Sequence, residues 1–285
     1  MVFVAGWLAP ILALFALFSL IPIGIAVWLS LHRYNQLAPV SPFLGLKNFT
    51  YAFTDDPAFL NSLAVTGKFA VVAVPLNIVV SLAVALALNN ITRMRALFRT
   101  VFFLPAIASA VAVSLVWIPI YDPQYGWLNA ALDFVGLSGG SWLGDPGTAL
   151  WSVMVTAVWQ DLGFNVIVFL AGLQAIPQEF YDVAKVDGAG VVARFWNVTL
   201  PLLRRTFVFV LCLTTIGYLQ EFTRIQVMTQ GGPLRSSETV VLHIYQRAFG
   251  DFQLGYATAM SIILMLIILV IALVQLRLLR TRWEY

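Results

Sequence analysis

Long apolar runs alternate with short polar stretches along the chain. A helix needs roughly 20 residues to cross the hydrocarbon core of a bilayer, and candidate runs lie at residues 4–31, 63–88, 97–120, 148–176, 202–227 and 254–276. The first run is too long for a secretion signal and has no basic residue before it, so we expect it to be retained as a helix. The pattern predicts an all-α membrane protein, with a single transmembrane domain over residues 1–285 and about six transmembrane helices.

Composition agrees with this class of protein. Of the 285 residues, 61% are hydrophobic and 10% are charged, and the mean hydropathy is +0.90, which is far from the balance of a soluble domain. The net charge is +3, but the basic residues lie at the ends of apolar runs and form no patch for nucleic acid. Cys212, the single cysteine, lies inside an apolar run and is expected to be a packed core residue.

Charge also predicts the orientation of the chain. Three connections are basic, and they carry Arg93, Arg95, Arg99, Lys185, Arg194, Arg204, Arg205, Arg277, Arg280 and Arg282. The connections between them hold more acid, namely Asp55, Asp56, Asp122, Asp133, Asp145, Glu238 and Asp251. Because basic loops stay in the cytoplasm, we expect a multi-pass membrane protein with both termini and residues 177–200 on the cytoplasmic side.

The loop at residues 177–200 contains helix signals outside the lipid. Pro177 suits a helix start, Glu179 and Asp182 suit the positive end of a helix dipole, and Gly188 and Gly190 suit a stop. At helical spacing, one mostly apolar face carries Phe180, Val183, Ala184 and Asp187. A short amphipathic helix of this kind lies on a membrane or docks in a partner's groove, and periodicity leaves both open.

No enzymatic constellation is present in the sequence. Gly67 and Lys68 are followed by Phe69, and Ser62 stands where a phosphate-binding loop requires glycine, so no nucleotide site is predicted. His32 and His243 are isolated in presumed extracytoplasmic segments, so no metal site is predicted. We therefore expect a protein that is not an enzyme.

The loop resembles a motif of a known family. Asp182-Val183-Ala184, three residues, Gly188, nine residues and Val198-Thr199-Leu200-Pro201 resemble the "EAA" loop of permease subunits of bacterial ATP-binding-cassette (ABC) importers. That pattern is Glu-Ala-Ala, three residues, Gly, nine residues and Ile-x-Leu-Pro, so this chain departs from it conservatively at Asp182, Val183 and Val198. The segments "RFWNVTLPLL", "LSLHRYN", "GLKNFTYAF", "RTVFFLP" and "ETVVLHIYQRAF" are similar to the carbohydrate-uptake branch, in the order of the first permease of maltose, lactose or glycerol-3-phosphate systems.

The resemblance implies a coupling helix that sits in a groove of a cytoplasmic ATPase. On this chain the implied coupling residues are Phe180, Asp182, Val183, Ala184, Lys185, Asp187, Gly188 and Arg194. The implied partners are a second permease subunit, two ATPase subunits, an extracytoplasmic solute-binding protein and membrane lipid. No cofactor is expected on this chain, because ATP and Mg would bind to the ATPase subunits.

Polar residues inside the apolar runs are candidates for a substrate path. Ionisable groups are costly in a bilayer and should face the bundle interior or a water-filled cavity. The candidates are Lys68, Asn77, Trp159, Gln160, Asp161, Asn165, Tyr218, Gln220, Glu221 and Arg224. Trp159 and Tyr218 either stack on a sugar ring or serve as packing residues. Glu221 and Arg224 either contact cargo or form an internal ion pair.

These patterns leave more than one function open. The first is an importer permease for a sugar or sugar-like solute, with a glycerol phosphate or another polar solute as the alternative cargo. The second is a self-sufficient secondary carrier, which would need coupling-ion residues and usually an internal repeat, and no convincing repeat is seen. The third is a structural scaffold, which does not explain the charged loop at residues 177–200.

Overall fold

A computed structural model describes the backbone of residues 2–35, 37, 40–90 and 95–279. Within these residues the helices are joined by turns and loops, and the one β-type pairing is an isolated antiparallel bridge between His32 and Phe43. The predicted all-α class is confirmed. Three basic residues that entered the orientation prediction, Arg93, Arg280 and Arg282, lie outside the described residues.

Fifteen helices are described, and we number them α1 to α15 in chain order. They are Val2–Phe15, Ile21–Ser30, Lys47–Thr54, Pro57–Asn90, Arg95–Ile107, Ala110–Ile120, Trp127–Phe134, Ala149–Gln174, Gln178–Val186, Val191–Arg194, Leu200–Leu202, Arg204–Leu219, Thr223–Met228, Val240–Tyr245 and Leu254–Leu278. Wider π-helical turns occupy Ala16–Leu20, Phe195–Thr199 and Gln246–Gly250.

Five stretches of the described chain are long and apolar enough to cross a membrane. They are Leu8–Ser30, Pro57–Asn89, Ala149–Gln174, Arg204–Met228 and Leu254–Leu278. A sixth is added if the bent pair Thr100–Ile107 and Ala110–Ile120 counts as one span.

Two of the predicted runs are interrupted. In the run at residues 97–120, the two pieces differ in direction by 104°, and Ser109 between them has an extended backbone. Pro105 lies one turn before the break and lacks the amide hydrogen that a continuous helix would use. The run at residues 202–227 is interrupted between α12 and α13. Hydropathy stays high across the first break, so an apolar pattern alone does not reveal it. The second break falls at the polar pair Gln220-Glu221.

Contacts divide the chain into two compact units. The first comprises Met1–Leu63 and Val240–Ile268, and the second comprises Ala64–Thr239 and Leu269–Tyr285. The chain passes from one to the other within α4 and within α15. The prediction of one domain over residues 1–285 did not anticipate this division.

Side chains fix the ends of helices in the first unit. Asp56 caps α4, because its Oδ1 accepts hydrogen bonds from the amides of Ala58 (3.0 Å) and Phe59 (3.1 Å), while Pro57 needs no partner at the first helical position. The buried Asn48 of α3 donates from Nδ2 to the carbonyl of Ser30 at 2.7 Å. This bond ties α3 to the end of α2.

The second unit is centred on α8, which is buried along much of its length. At Gly163, an added Cβ would collide with the backbone carbonyl of Phe102 in α5. Only glycine lets the two helices approach this closely, which is how small residues promote packing of helices in membranes. The close contact holds α5 directly beside the polar residues that lie on α8.

Candidate functional site

Arg224 is the centre of a buried charge cluster in the second unit. It donates from Nη1 to Oε2 of Glu221 (2.5 Å) and from Nη2 to Oδ1 of Asp161 (2.6 Å). Its Nε donates to Oε1 of Gln160 at 3.1 Å. The side chains of Arg224 and Glu221 are 8% and 7% exposed, whereas that of Asp161 is 36% exposed. We call these four residues the Arg224 cluster, and Asp161 is its most exposed charged member.

The Arg224 cluster lies where two helical runs are broken. Gln160 donates from Nε2 to the carbonyl of Ala108, between α5 and α6, at 2.9 Å. Glu221 lies between α12 and α13, and its backbone carbonyl accepts a hydrogen bond from Oγ1 of Thr239 at 2.8 Å. Freed backbone groups at membrane depth are tolerated where protein groups satisfy them or where they line a cavity. These side chains therefore stabilise irregular backbone beside the charges.

A network of uncharged polar side chains adjoins the cluster. Asn165 donates from Nδ2 to Oδ1 of Asn77 (2.7 Å) and to Oγ1 of Thr214 (3.0 Å). Asn77 donates from Nδ2 to the hydroxyl of Tyr218 at 2.9 Å, and Tyr218 lines the same cavity as Asp161. Polar groups from the three helices α4, α8 and α12 thus form one network beside the Arg224 cluster.

A cavity of about 430 Å³ borders both groups, and we call it the Arg224 cavity. Its polar lining consists of Asp161, Asn165, Thr214, Tyr218, Glu221 and Arg224. Its apolar lining consists of Ala106, Phe164, Leu213 and Gly217. Apolar walls with a few convergent polar groups are typical of a site for a small polar molecule.

The structure brings together seven of the ten predicted path residues. They are Asn77, Gln160, Asp161, Asn165, Tyr218, Glu221 and Arg224. Contact between any of them and cargo stays a prediction. Thr214, Phe164 and Leu213 also border the cavity but were not predicted, because each lies in an apolar run where nothing distinguishes it from a packing residue.

The other three predicted path residues lie elsewhere. Lys68 and Gln220 are exposed and do not line the Arg224 cavity. Trp159 is 42% exposed and meets Trp117 edge to face, with the ring centroids 5.4 Å apart. Tyr218, the second aromatic candidate, is 2% exposed, and its ring packs against Phe69. Its hydroxyl group, rather than its ring face, is the part engaged in the polar network.

A second buried charge cluster lies in the first unit. Oδ2 of Asp56 accepts a hydrogen bond from Tyr256 (2.9 Å) and lies 3.2 Å from His243 and 3.3 Å from Arg247. Burial raises the pKa of Asp56, but the hydrogen bonds from Tyr256, the Phe59 amide and His243 outweigh it and hold that pKa below its usual value. His243 was expected to be isolated and instead lies beside a carboxylate. Within the described residues, no group of three His, Cys, Asp or Glu side chains is placed to hold a metal ion.

The predicted short helix is α9, Gln178–Val186. Glu179 lies in its first turn and Lys185 in its last turn, which suits the helix dipole. Two hydrogen bonds close its end, from the amide of Gly188 to the carbonyl of Lys185 (3.0 Å) and from Ala189 to Ala184 (2.8 Å). Gly188 has a φ of +74°, so the ending is a Schellman motif that favours glycine at this position.

One face of α9 borders an open groove of about 550 Å³, which we call the acidic groove. Its lining consists of Glu179, Phe180, Val183, Ala184, Asp187, Ala189, Asn197 and Val198. Phe180 is 40% exposed and Val183 is 61% exposed. Apolar side chains exposed beside a polar rim are characteristic of a surface that contacts another molecule.

The remaining predicted coupling residues lie apart from the acidic groove. Asp182 is exposed and accepts a hydrogen bond from Lys185 at 2.9 Å. This bond, with a longer one from Gln178, holds the pKa of Asp182 below its usual value. Lys185 and Arg194 line a separate cavity of about 730 Å³, which we call the Arg194 cavity.

The buried polar cluster, the cavity and the exposed helix define a membrane transport subunit. The family described as "Binding-protein-dependent transport system inner membrane component" matches residues 77–283, and the chain belongs to this family. It is therefore a multi-pass inner-membrane permease of a transport system that uses a binding protein, and the resemblance of the chain to such permeases is confirmed.

Similar proteins cover almost the whole chain. The sn-glycerol-3-phosphate transport system permease protein UgpA of Yersinia pestis is 34% identical, over 97% of this chain and 93% of its own length. The trehalose/maltose transport system permease protein MalF of Thermococcus litoralis is 34% identical, over 96% of this chain and 92% of its own length.

A solved structure shares the fold. It is a chain of a bacterial ABC transporter involved in the import of the acidic polysaccharide alginate, with a TM-score of 0.85 and 23% sequence identity. The match covers 99% of this chain and 96% of that chain. The ABC importer permease arrangement predicted for the helices is thereby confirmed.

Proposed function

We propose that this permease forms, with a second permease, the translocation path for a neutral sugar or sugar-like solute delivered by an extracytoplasmic binding protein. The observation that carries the proposal is the Arg224 cavity, where the polar Asp161 and Asn165 share the lining with the apolar Phe164 and Leu213. A sugar presents hydroxyl groups and apolar C–H faces, and a lining of both kinds suits it. The similarity to a trehalose/maltose permease supports the same class of cargo.

The charge of the cavity bears on the alternative cargo. UgpA is a glycerol-3-phosphate permease, so a glycerol phosphate is the second candidate. A phosphate site needs a surplus of cationic donors, but the lining holds Asp161 and Glu221 against the single cation Arg224. Lys68, which would have balanced them, does not line the cavity. The lining therefore favours a neutral solute.

Energy is supplied by another chain in this proposal. Two cytoplasmic ATPase subunits bind ATP and Mg, and each permease inserts its coupling helix into one of them. On this chain the docking surface is the α9 face at the acidic groove, because Phe180 and Val183 are exposed there. Asp182, Lys185, Gly188 and Arg194 complete the proposed coupling region. Closure of the ATPase subunits then moves α9 and changes the translocation path from inward-facing to outward-facing.

Orientation follows from the same assignment. With α9 in the cytoplasm, both chain termini are cytoplasmic, as the distribution of basic residues also indicates. The Arg224 cavity is open rather than enclosed, and the second permease would complete its wall. The chain itself needs no cofactor for this role.

Co-purification and transport test the proposal. The tagged chain is expressed with the proteins encoded beside it, purified from membranes and reconstituted with the binding protein. We expect an ATPase subunit and a second permease to co-purify, and ATP-dependent uptake of a neutral sugar such as trehalose or maltose. Glycerol 3-phosphate serves as the competing cargo. Uptake of glycerol 3-phosphate alone would contradict the proposed cargo, and uptake without an ATPase subunit would contradict the proposed energy source.

A further inference from the structure

The helix α9 has a second face, away from the acidic groove. Gln178, Tyr181 and Lys185 lie on this face at helical spacing and line the Arg194 cavity. The carboxylates of Glu179 and Asp187 lie at the acidic groove instead. The charged residue of α9 that lines the Arg194 cavity is therefore the basic Lys185.

The Arg194 cavity is cationic. Lys185 and Arg194 are its charged lining residues, and no carboxylate of the described residues lines it. Nε of Arg194 is buried and has no hydrogen-bond partner within the part of the chain that the structure describes. A buried guanidinium nitrogen without an acceptor is costly, and a ligand oxygen would satisfy it. Lys185 is paired with Asp182, but both side chains are exposed and such a pair is weak.

The position of the cavity identifies the kind of anion. Leu86 and Asn89 belong to the last turn of α4, and Leu173 belongs to the last turn of α8. Both helices are long and apolar enough to cross a membrane, and lipid headgroups are expected at the ends of such spans. The exposed Trp196 also lines it, and tryptophan is enriched at this depth.

We propose that the Arg194 cavity binds the phosphate group of an anionic phospholipid. The guanidinium of Arg194 supplies charge-assisted hydrogen bonds to the phosphate oxygens, and Lys185 adds a second positive charge. Leu86 and Leu173 provide an apolar wall along which the lipid chains return to the bilayer. This proposal rests on the membrane location of the helix ends and is independent of the transported cargo.

Lipid retention by the whole transporter tests this site. The complex is purified in detergent and mixed with dioleoyl phosphatidylglycerol or dioleoyl phosphatidylcholine, and retained lipid is counted by native mass spectrometry. We expect the phosphatidylglycerol to be retained at least about tenfold more than the phosphatidylcholine. Arg194→Gln should lose most of that preference, because it removes charge-assisted hydrogen bonds that are strong enough to account for a tenfold difference. Arg204→Gln is the matched control, because Arg204 does not line the cavity, and it should retain the preference.

Three results would overturn the proposal. The first is an unchanged lipid preference in Arg194→Gln, and the second is an equal loss in Arg204→Gln. The third is displacement of the lipid by millimolar inorganic phosphate, which would mean that a free anion is the ligand. If Arg194→Gln does not assemble, Lys185→Gln supplies the second variant, with the same expected direction and a smaller loss. Transport measurements are not needed, so failure of this site leaves the proposed cargo and coupling unaffected.

Discussion

The charged side chains of the Arg224 cluster and those of the helix α9 differ in their exposure to solvent. At the cluster, Arg224 and Glu221 are almost fully buried, and every nitrogen of the guanidinium has an acceptor in the second unit. On α9, Asp182 and Lys185 form an ion pair whose side chains are 60% and 51% exposed. The buried charges depend on one another, whereas the exposed charges are screened by water.

Because of this difference, substitutions in the two regions test different parts of the proposed function. Removing one partner of a buried ion pair carries a large penalty, because the other charge is left buried and unpaired. Beside a cavity, such a pair is either a cargo contact or an internal support for α12 and α13. An exposed pair contributes little to folding, so a charge effect at α9 has to arise from a partner. Substitutions in the two regions therefore separate folding from transport in different ways.

Loss of Arg224 should have the largest effect. Arg224→Ala leaves Glu221 and Asp161 without their shared cation, and breaking a buried pair costs about 3–5 kcal/mol. We also expect sugar uptake per assembled protein to fall by at least about a hundredfold, because Arg224 is the cationic donor in the cavity lining and each hydrogen bond to a charged group contributes about 1.5–3 kcal/mol. Uptake is measured in proteoliposomes and normalised to the amount of assembled protein.

A charge-free variant separates cargo contact from internal support. In the triple variant R224M/E221Q/D161N no charge is left unpaired, so thermal stability should return toward that of the native protein. We expect uptake to remain lost, because the guanidinium and carboxylate contacts to cargo are gone and the amides that replace the carboxylates form weaker hydrogen bonds. Recovery of uptake together with stability would mean that the cluster is only an internal ion pair.

Two substitutions at Asp182 should have smaller and unequal effects. Asp182→Asn removes an exposed pair worth about 0–1 kcal/mol, so uptake should stay within about twofold of the native value. Asp182→Lys places a positive charge in the N-terminal half of α9, against the helix dipole, and should lower uptake by about two- to fivefold. Equal uptake by the two variants at equal membrane abundance would show that no partner senses charge at this position.

The sequence carried most of the information about the fold. The apolar runs located the spans because the bilayer fixes the length of a crossing helix, and Pro177 and Gly188 marked the limits of α9 through the backbone geometry that each prefers. The break at Ser109 was not predictable from hydropathy, because its pieces stay apolar on both sides. It becomes understandable only with Gln160, which bonds to the freed carbonyl of Ala108.

The site was predicted less completely than the fold. The cost of charge in a membrane correctly selected Asp161, Glu221 and Arg224 as residues that belong inside the bundle. The same argument included Lys68, whose side chain is exposed instead. A contact such as that between Arg224 and Asp161 joins residues distant in sequence, and no spacing rule foresees it. The apolar wall formed by Phe164 and Leu213 carries no sequence signal at all.

Coupling through α9 is the central claim, and Gly188 tests it most directly. Its φ of +74° disfavours a β-branched side chain, and no atom lies within 4 Å of an added Cβ, so Gly188→Val acts through the backbone alone. Gly188→Asn is the matched control, because asparagine tolerates this conformation.

Uptake, membrane abundance and ATPase co-purification are measured together for both variants. We expect Gly188→Val to insert normally but to lose ATPase co-purification and at least about tenfold in uptake, equivalent to about 1.4 kcal/mol. Gly188→Asn should keep both ATPase co-purification and uptake. Normal uptake and normal co-purification by Gly188→Val at normal abundance would contradict the assignment of α9 as the coupling helix.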